Sequence, residues 1–354
     1  MLQLLQRDIR SKNSRDTLDQ SRGAEVAVGE CLGRAGCGAV FRGTWHRVPV
    51  AVKVMQTRND GAQALQDAVE MAVLSSVQHP NIVQVFACLT DMVKTTDNHF
   101  GGRSASFTGG VKTHYRRLRP EEDPDEAVTH NIIVMEPCDR GTLRDAIKGG
   151  LLHQSLPDGA IGIKLAPAAE LLLDVAYAVQ YLHSMQLVHG DLRELSAREP
   201  DGRLALENVL LKTDRSRPLG ATPKLSEFGL TRILSDADHA AGAAPPGGAT
   251  CAHVAPEMFR AGCQVSTAVD AYAFGVFMWE VYTSKRAFSG LPREAVIERV
   301  SVKGARPRFP STTPPAFAEL AQACWAADPA ARPSFTQIAE ALDRLVGELS
   351  GRPI

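Results

Sequence analysis

Two stretches of this chain carry residue types that could act on phosphate. The first is LGRAGCGAVFRG, residues 32–43, with glycines at 33, 36 and 38. Glycine lets backbone N–H groups approach phosphate oxygens with no side chain intervening. Past Gly38 the chain reads as a strand, AVFRGTW, and VPVAVKVM then places Lys53 on the next strand. A dinucleotide fingerprint would open a helix at this point, and a P-loop would end in Gly-Lys-Ser/Thr. The chain does neither. The second stretch is HGDLRELSAREPDGRLALENVLL, residues 189–211, in which Asp191 and Asn208 enclose a charged digression. Farther on, KLSEFGL (224–230) adds a carboxylate, Glu227.

These residues need a scaffold, and 354 residues suffice for one large domain or two lobes. With 44% apolar and 22% charged residues the composition is that of a soluble globular protein. A formal net charge of −1 gives no reason to expect nucleic acid or an anionic membrane as partner. The seven cysteines are odd in number and scattered, which points to reduced thiols in the cytoplasm, with the nucleus as the alternative. The longest apolar stretch, ELLLDVAYAVQYL, is interrupted by Asp174 and reads as a buried helix, so no membrane span is expected.

Residues 1–24 read as a polar lead-in. From Glu25 to Met55 short alternating runs broken by glycine predict antiparallel strands. Residues 62–78 read as an amphipathic helix, and NIVQVFACL and NIIVME as strands. Between those strands, about 91–130 is rich in Gly, Ser and Thr and reads as a long disordered insert. It carries a basic cluster, KTHYRRLRP, whose residues 112–119 could serve as a docking segment. From Leu143 onward helical periods dominate. The fold class expected is therefore α+β, a small β-rich lobe followed by a larger helical one.

A glycine turn between two strands, with a lysine on the next, resembles the protein kinase domain of the eukaryotic type, most closely the tyrosine-kinase-like group of Ser/Thr kinases. The resemblance implies a two-lobed kinase domain over 25–349, divided as 25–136 and 137–349, with ATP and Mg²⁺ as cofactors and a protein as substrate. It implies that Gly33, Ala35 (in place of a glycine), Gly38 and Val40 cover the phosphates, and that Ala51 and Leu210 also line the nucleotide. Lys53 would pair with the α/β-phosphates and be held by Glu70, ten residues before Pro80. In IIVMEPCDRGTL, Met135 would be the gatekeeper, with Glu136 and Cys138 offering backbone groups to the adenine edge. Asp191 would orient the substrate hydroxyl, Arg193 stands at the lysine position of the catalytic loop, and Asn208 and Glu227 would hold the metal.

Three departures bear on activity. Residues 194–206 fill what is one position in the family pattern, thirteen for one. Lengthening a loop about fourfold costs only about 1.2 kcal/mol of closure entropy, and EPDG (199–202) supplies a turn. An excursion that leaves Asp191 and Asn208 in place is thus feasible. Glu227 stands where the family carries Asp-Phe-Gly, and its extra methylene must be absorbed within the near-octahedral shell of magnesium. Gly190 replaces an arginine that ordinarily meets a phosphorylated activation segment, which predicts little dependence on phosphorylation at Ser235. The family's scaffold residues are matched by Glu257 in Ala-Pro-Glu, Arg332, Asp270 and Thr250. The reading is an active, slow Ser/Thr protein kinase; the alternative is a pseudokinase acting as a nucleotide-binding scaffold.

Overall fold

The computed structural model describes residues 26–35, 38–57, 61–96, 113–119, 122, 128–155, 161–189, 206–227, 232–233, 251–260, 263 and 265–351. The chain divides into two compact units, one of Met1–Gln78 and Val83–Pro137, the other of His79–Ile82 and Cys138–Ile354.

The first unit contains β1 (Val26–Ala35), β2 (Gly38–Trp45), β3 (Val48–Gln56), α1 (Gly61–Ser76), β4 (Val85–Thr96), β5 (Thr113–Arg117) and β6 (Thr129–Met135). The strands close into a barrel in the order β1-β2-β3-β6-β4-β5, every pair antiparallel. Alternation along β3 explains the layering. Val50, Val52 and Val54 join Val26, Val28, Leu89, Met92, Ile132 and Val134 in one apolar core, whereas Ala51, Lys53 and Met55 point to the opposite face. That face is also covered, because Ala51 and Met55 are buried too. Gly43 sits where strands nearly touch: a Cβ there would lie 2.7 Å from the Ala27 carbonyl oxygen.

The expectation of a disordered insert over 91–130 is overturned for the residues described. β4 runs on to Thr96, and the basic cluster forms β5, with Tyr115 buried in the core. The stretch is polar by composition, and among its described residues one buried aromatic, Tyr115, is too short a signal to read as a strand. β5 becomes a strand because β4 and β1, remote in sequence, pair with it on both sides.

The second unit is built of α2 (Leu143–Lys148), β7 (His153–Ser155), β8 (Ile161–Ile163), α3 (Leu165–Ser184), β9 (Leu187–Val188), β10 (Val209–Thr213), β11 (Ala221–Leu225), β12 (Arg232–Ile233), α4 (Ala268–Thr283), α5 (Arg293–Ile297), α6 (Pro315–Cys324) and α7 (Phe335–Ser350). Its strands form three two-stranded pairs, β10-β11, β9-β12 and β7-β8. α4 is apolar all round and buried from Val269 to Val281, as a central core helix must be. At Gly275 a Cβ would meet the Ala321 carbonyl oxygen at 2.8 Å, so glycine permits the close packing of α6 on α4. α3 is long and apolar enough by composition to cross a membrane, yet Leu171, Leu172, Val175, Val179 and Leu182 are buried within this unit. α7 begins with a reciprocal capping box between Ser334 and Gln337 and packs its apolar face on α3. The whole is α+β, β-rich first and helical afterwards.

Candidate functional site

In the first unit strand register brings the expected nucleotide residues together. Gly33 pairs with Val40, Val40 with Lys53 and Lys53 with Ile133; two residues along, Ala51 pairs with Met135. Opposed residues in an antiparallel sheet point the same way, and so do residues two apart. Gly33, Val40, Ala51, Lys53 and Met135 therefore share one face of the sheet. A Cβ at Gly33 would meet nothing within 4 Å, so that glycine leaves its surroundings open. Gly38 is different: a Cβ there would fall 2.2 Å from the Val54 carbonyl oxygen. Its glycine is required by the neighbouring strand, whatever else the turn does. The backbone of Ala35 pairs with that of Gly38, and Gly36 lies outside the described residues.

Lys53 donates from Nζ to Glu70 Oε1 on α1 at 2.6 Å, and the two side chains are only 3% and 1% exposed. Burying two charges is costly unless they meet in good geometry. Truncating either one would remove this 2.6 Å ion pair from the other. Glu136 is buried as well, for a reason the sequence did not disclose. Its carboxylate accepts the Gln84 N–H at 2.9 Å, and its own N–H donates to the Gln84 carbonyl at 2.9 Å. Cys138, partly exposed, begins the second unit.

In that unit a 3₁₀ turn, Leu206–Asn208, leads into β10, which pairs with β11 in the register Val209 to Leu225. Asn208 and Ser226 are thus neighbours at the end of the ladder. The Asn208 carbonyl accepts the Ser226 N–H at 2.8 Å and its hydroxyl at 3.0 Å. Glu227 follows at once, in the left-handed region with φ 62°. This hairpin end therefore brings together Asn208 and Glu227, two of the residues expected at the metal. Leu210 pairs with Lys224 and bridges to Thr142.

Asp191 and Arg193 lie outside the described residues, as do Thr250 and Ser235. Around the digression the chain is described up to His189 and again from Leu206. Before it, Asp270 Oδ2 accepts the backbone N–H of His189 at 2.9 Å and lies 2.8 Å from His183 Nε2. Burial lowers the pKa of His189, opposed by the Asp270 charge. Leu206, the last residue of the digression, is fully buried, and the 3₁₀ turn also packs on α4. His189 and the 3₁₀ turn thus both rest on α4.

Sequence reasoning missed a charge network. Arg144 of α2 donates to Glu207 at 3.0 Å and to Glu280 at 2.6 Å, and Arg286 donates to Glu207 at 2.6 Å. His253 Nε2 lies 3.5 Å from Glu280, which also accepts the Ala287 N–H. Burial alone would raise the Glu280 pKa, but His253, Arg144 and that N–H hold it at about 2. No local pattern marks these residues. Glu257 and Arg332, both matched to scaffold residues of the family, form an ion pair. It is bidentate at 2.6 and 2.8 Å, with Arg332 also donating to the Ala268 and Ala326 carbonyls.

The donor chemistry suits the expected groups. An amide and a carboxylate at one hairpin end offer the hard oxygens that Mg²⁺ takes, and a buried lysine held by a carboxylate suits a polyphosphate. Among the described residues no group of three His, Cys, Asp or Glu side chains forms a metal cluster.

Comparison with known proteins points the same way. Over residues 26–96 and 126–342 the chain matches the family model for protein tyrosine and serine/threonine kinases. It is 25% identical over 324 residues to a probable serine/threonine-protein kinase of Dictyostelium discoideum, covering 91% of this chain and 28% of that one. A dual specificity protein kinase of the same organism is 26% identical, over 91% of this chain and 19% of its own length. A serine/threonine-protein kinase of Arabidopsis thaliana is also 26% identical, over 88% and 43% respectively. The chain thus spans less than half of each of these relatives. With a family match over most of its length, it belongs to the protein tyrosine and serine/threonine kinase family.

Proposed function

We propose that this chain is a catalytic domain that transfers the ATP γ-phosphate to serine or threonine hydroxyls of proteins. The observation that carries the reading is the buried Lys53–Glu70 pair, on the sheet face that also bears Gly33, Val40, Ala51 and Met135. Lys53 binds the α/β-phosphates, with Glu70 fixing its direction. Gly33, Ala35 and Gly38 cover the phosphates with backbone. In the first unit Ala51 and Met135 line the base and Glu136 offers it a backbone group; in the second unit Leu210 and Cys138 take the nucleotide-contacting roles the resemblance gives them. Asp191 orients the hydroxyl and accepts its proton, assisted by Arg193. Asn208 and Glu227 would hold Mg²⁺, which would supply positive charge against the charge that develops in phosphoryl transfer.

The similarity to serine/threonine-protein kinases of Dictyostelium discoideum and Arabidopsis thaliana supports the serine/threonine assignment. A docking role for residues 112–119 would fall to the exposed Arg117 and Arg119, since Tyr115 is buried and Arg116 pairs with Glu122. A cytoplasmic or nuclear location is proposed from the odd number and scatter of the seven cysteines.

A nucleotide-binding scaffold is the second reading. It draws on the left-handed Glu227 and on the digression at 194–206, and the relatives' names do not favour it. The test is transfer of labelled γ-phosphate from ATP to a generic protein substrate, beside Lys53→Met and Asp191→Asn. Transfer lost in both variants supports the catalyst. Thermal stabilisation by ATP with no transfer in the unsubstituted chain supports the scaffold.

A further inference from the structure

Strand β5 belongs to a segment that the family match passes over, which stops at residue 96 and resumes at 126. It is nevertheless built into the first unit. Thr113 to Arg117 pair with Thr96 to Met92 of β4, and Tyr115, His114 and Thr113 pair with Val26, Ala27 and Val28 of β1. Tyr115 is 5% exposed, lies in the core with Val26 and Val28, and meets the His130 ring edge-on at 5.2 Å. Two fasteners hold the far end. Leu118 N–H donates to the Asp91 carbonyl at 2.9 Å, and Glu122 accepts both Arg116 guanidinium nitrogens, at 2.6 and 2.8 Å, and the Arg119 N–H.

β5 grips only the beginning of β1. Its pairing ends at Val28, after which β1 has register shifts against β2 on the way to Gly33. Burial follows the same division: Val26 and Val28 are 0% and 4% exposed, whereas Leu32 is 49% exposed. The outer part of β1, with Gly33, thus extends from an anchored root with β2 as its lateral partner.

We propose that Tyr115 and its strand are a positioning element, a clamp on the root of the glycine hairpin that limits its swing and so prepares it for a nucleotide. The nucleotide part rests on the proposed function; the clamp itself does not. Ordering a hairpin before binding removes part of the entropy that binding must otherwise overcome. Releasing the root should weaken nucleotide affinity and leave the chemical step at saturation unchanged.

The test uses the full chain and three variants: Tyr115→Ala, Tyr115→Phe, and Glu122→Ala, which unfastens Arg116 without touching the core. Amide hydrogen exchange over Val26–Arg34 is followed against β3 and β6, together with the Kd for ATP in MgCl₂ and, where transfer occurs, kcat. In Tyr115→Ala, exchange in β1 should quicken about tenfold while β3 and β6 hold, and the Kd should rise about three- to tenfold at unchanged kcat. Tyr115→Phe should restore both, and Glu122→Ala should shift both in the same direction by less. If Tyr115→Ala does not fold, Glu122→Ala decides. Unchanged β1 exchange, a uniform quickening across the unit, or a fall in kcat with Kd unmoved would overturn the clamp. Absence of ATP binding by the unsubstituted chain would instead overturn the proposed function, leaving the exchange result to judge the clamp.

Discussion

The carbonyl oxygen of Asn208 accepts two hydrogen bonds from Ser226, one from its backbone N–H at 2.8 Å and one from its hydroxyl at 3.0 Å. These bonds close the β10–β11 ladder at the end where Asn208 and Glu227 stand. They tie the backbone that carries Asn208, just ahead of β10, to the backbone just past β11 that leads into Glu227.

Glu227 occupies a left-handed conformation, φ 62°, that aspartate and asparagine tolerate better than glutamate. Glu227→Asp shortens the side chain and eases the backbone together. Phosphoryl transfer should rise about three- to tenfold if metal geometry limits the rate. A rate that stays level or drops in a steady-state assay would refute this.

Lys53→Met should abolish transfer and cost about 3 kcal/mol of stability, because the buried Glu70 carboxylate loses its 2.6 Å ion pair with Nζ. Adding Glu70→Met should recover much of the stability and none of the activity. Urea unfolding of the single and double variants separates the two effects.

Asp270 holds His189 by its backbone N–H at 2.9 Å, just ahead of the loop that carries Asp191. Asp270→Asn weakens that grip without changing volume. A displacement of about 1 Å at a reacting group costs on the order of 100-fold, so kcat should fall at least tenfold with KM for ATP nearly unchanged. A matching loss in KM alone would argue against this bracing.

Glu280 makes a pH-dependent contribution. Its folded pKa of about 2 lies below the ordinary 4.5, so the stability it supplies is present above pH 4.5 and is lost as pH falls toward 2. A shift of this size corresponds to about 3 kcal/mol. Glu280→Gln should be destabilised by about that much at pH 7, and the gap should narrow by roughly a third or more by pH 3.5. Denaturant titrations of both proteins at the two pH values measure it; a constant gap would contradict the network.

Arg332→Met should destabilise the second unit by about 3–5 kcal/mol, since it leaves Glu257 without its bidentate partner. Glu257→Gln should cost less, because the amide can still accept from Arg332. Equal costs from the two would show that Arg332 acts mainly through the Ala268 and Ala326 carbonyls.

Much of the fold is legible in the sequence because it is local. Alternation along VPVAVKVM assigns Val50, Val52 and Val54 to one face and Lys53 to the other, and the apolar run at 171–182 is a core helix. The order and spacing of Lys53, Glu70, Asn208, Glu227, Glu257, Asp270 and Arg332 pointed to one family, and the family match agrees.

What tertiary structure alone decided are partnerships between residues far apart in the chain. Arg144 meets Glu280 across 136 positions and Glu207 across 63, and nothing near any of them in sequence announces it. Tyr115 sits in a stretch whose composition reads as solvated loop, yet β1 and β4 leave room for one more strand and the barrel takes it in. Periodicity reports which way a side chain points. It does not report what stands opposite, because backbone hydrogen bonds and buried charges find their partners only once the chain has closed on itself.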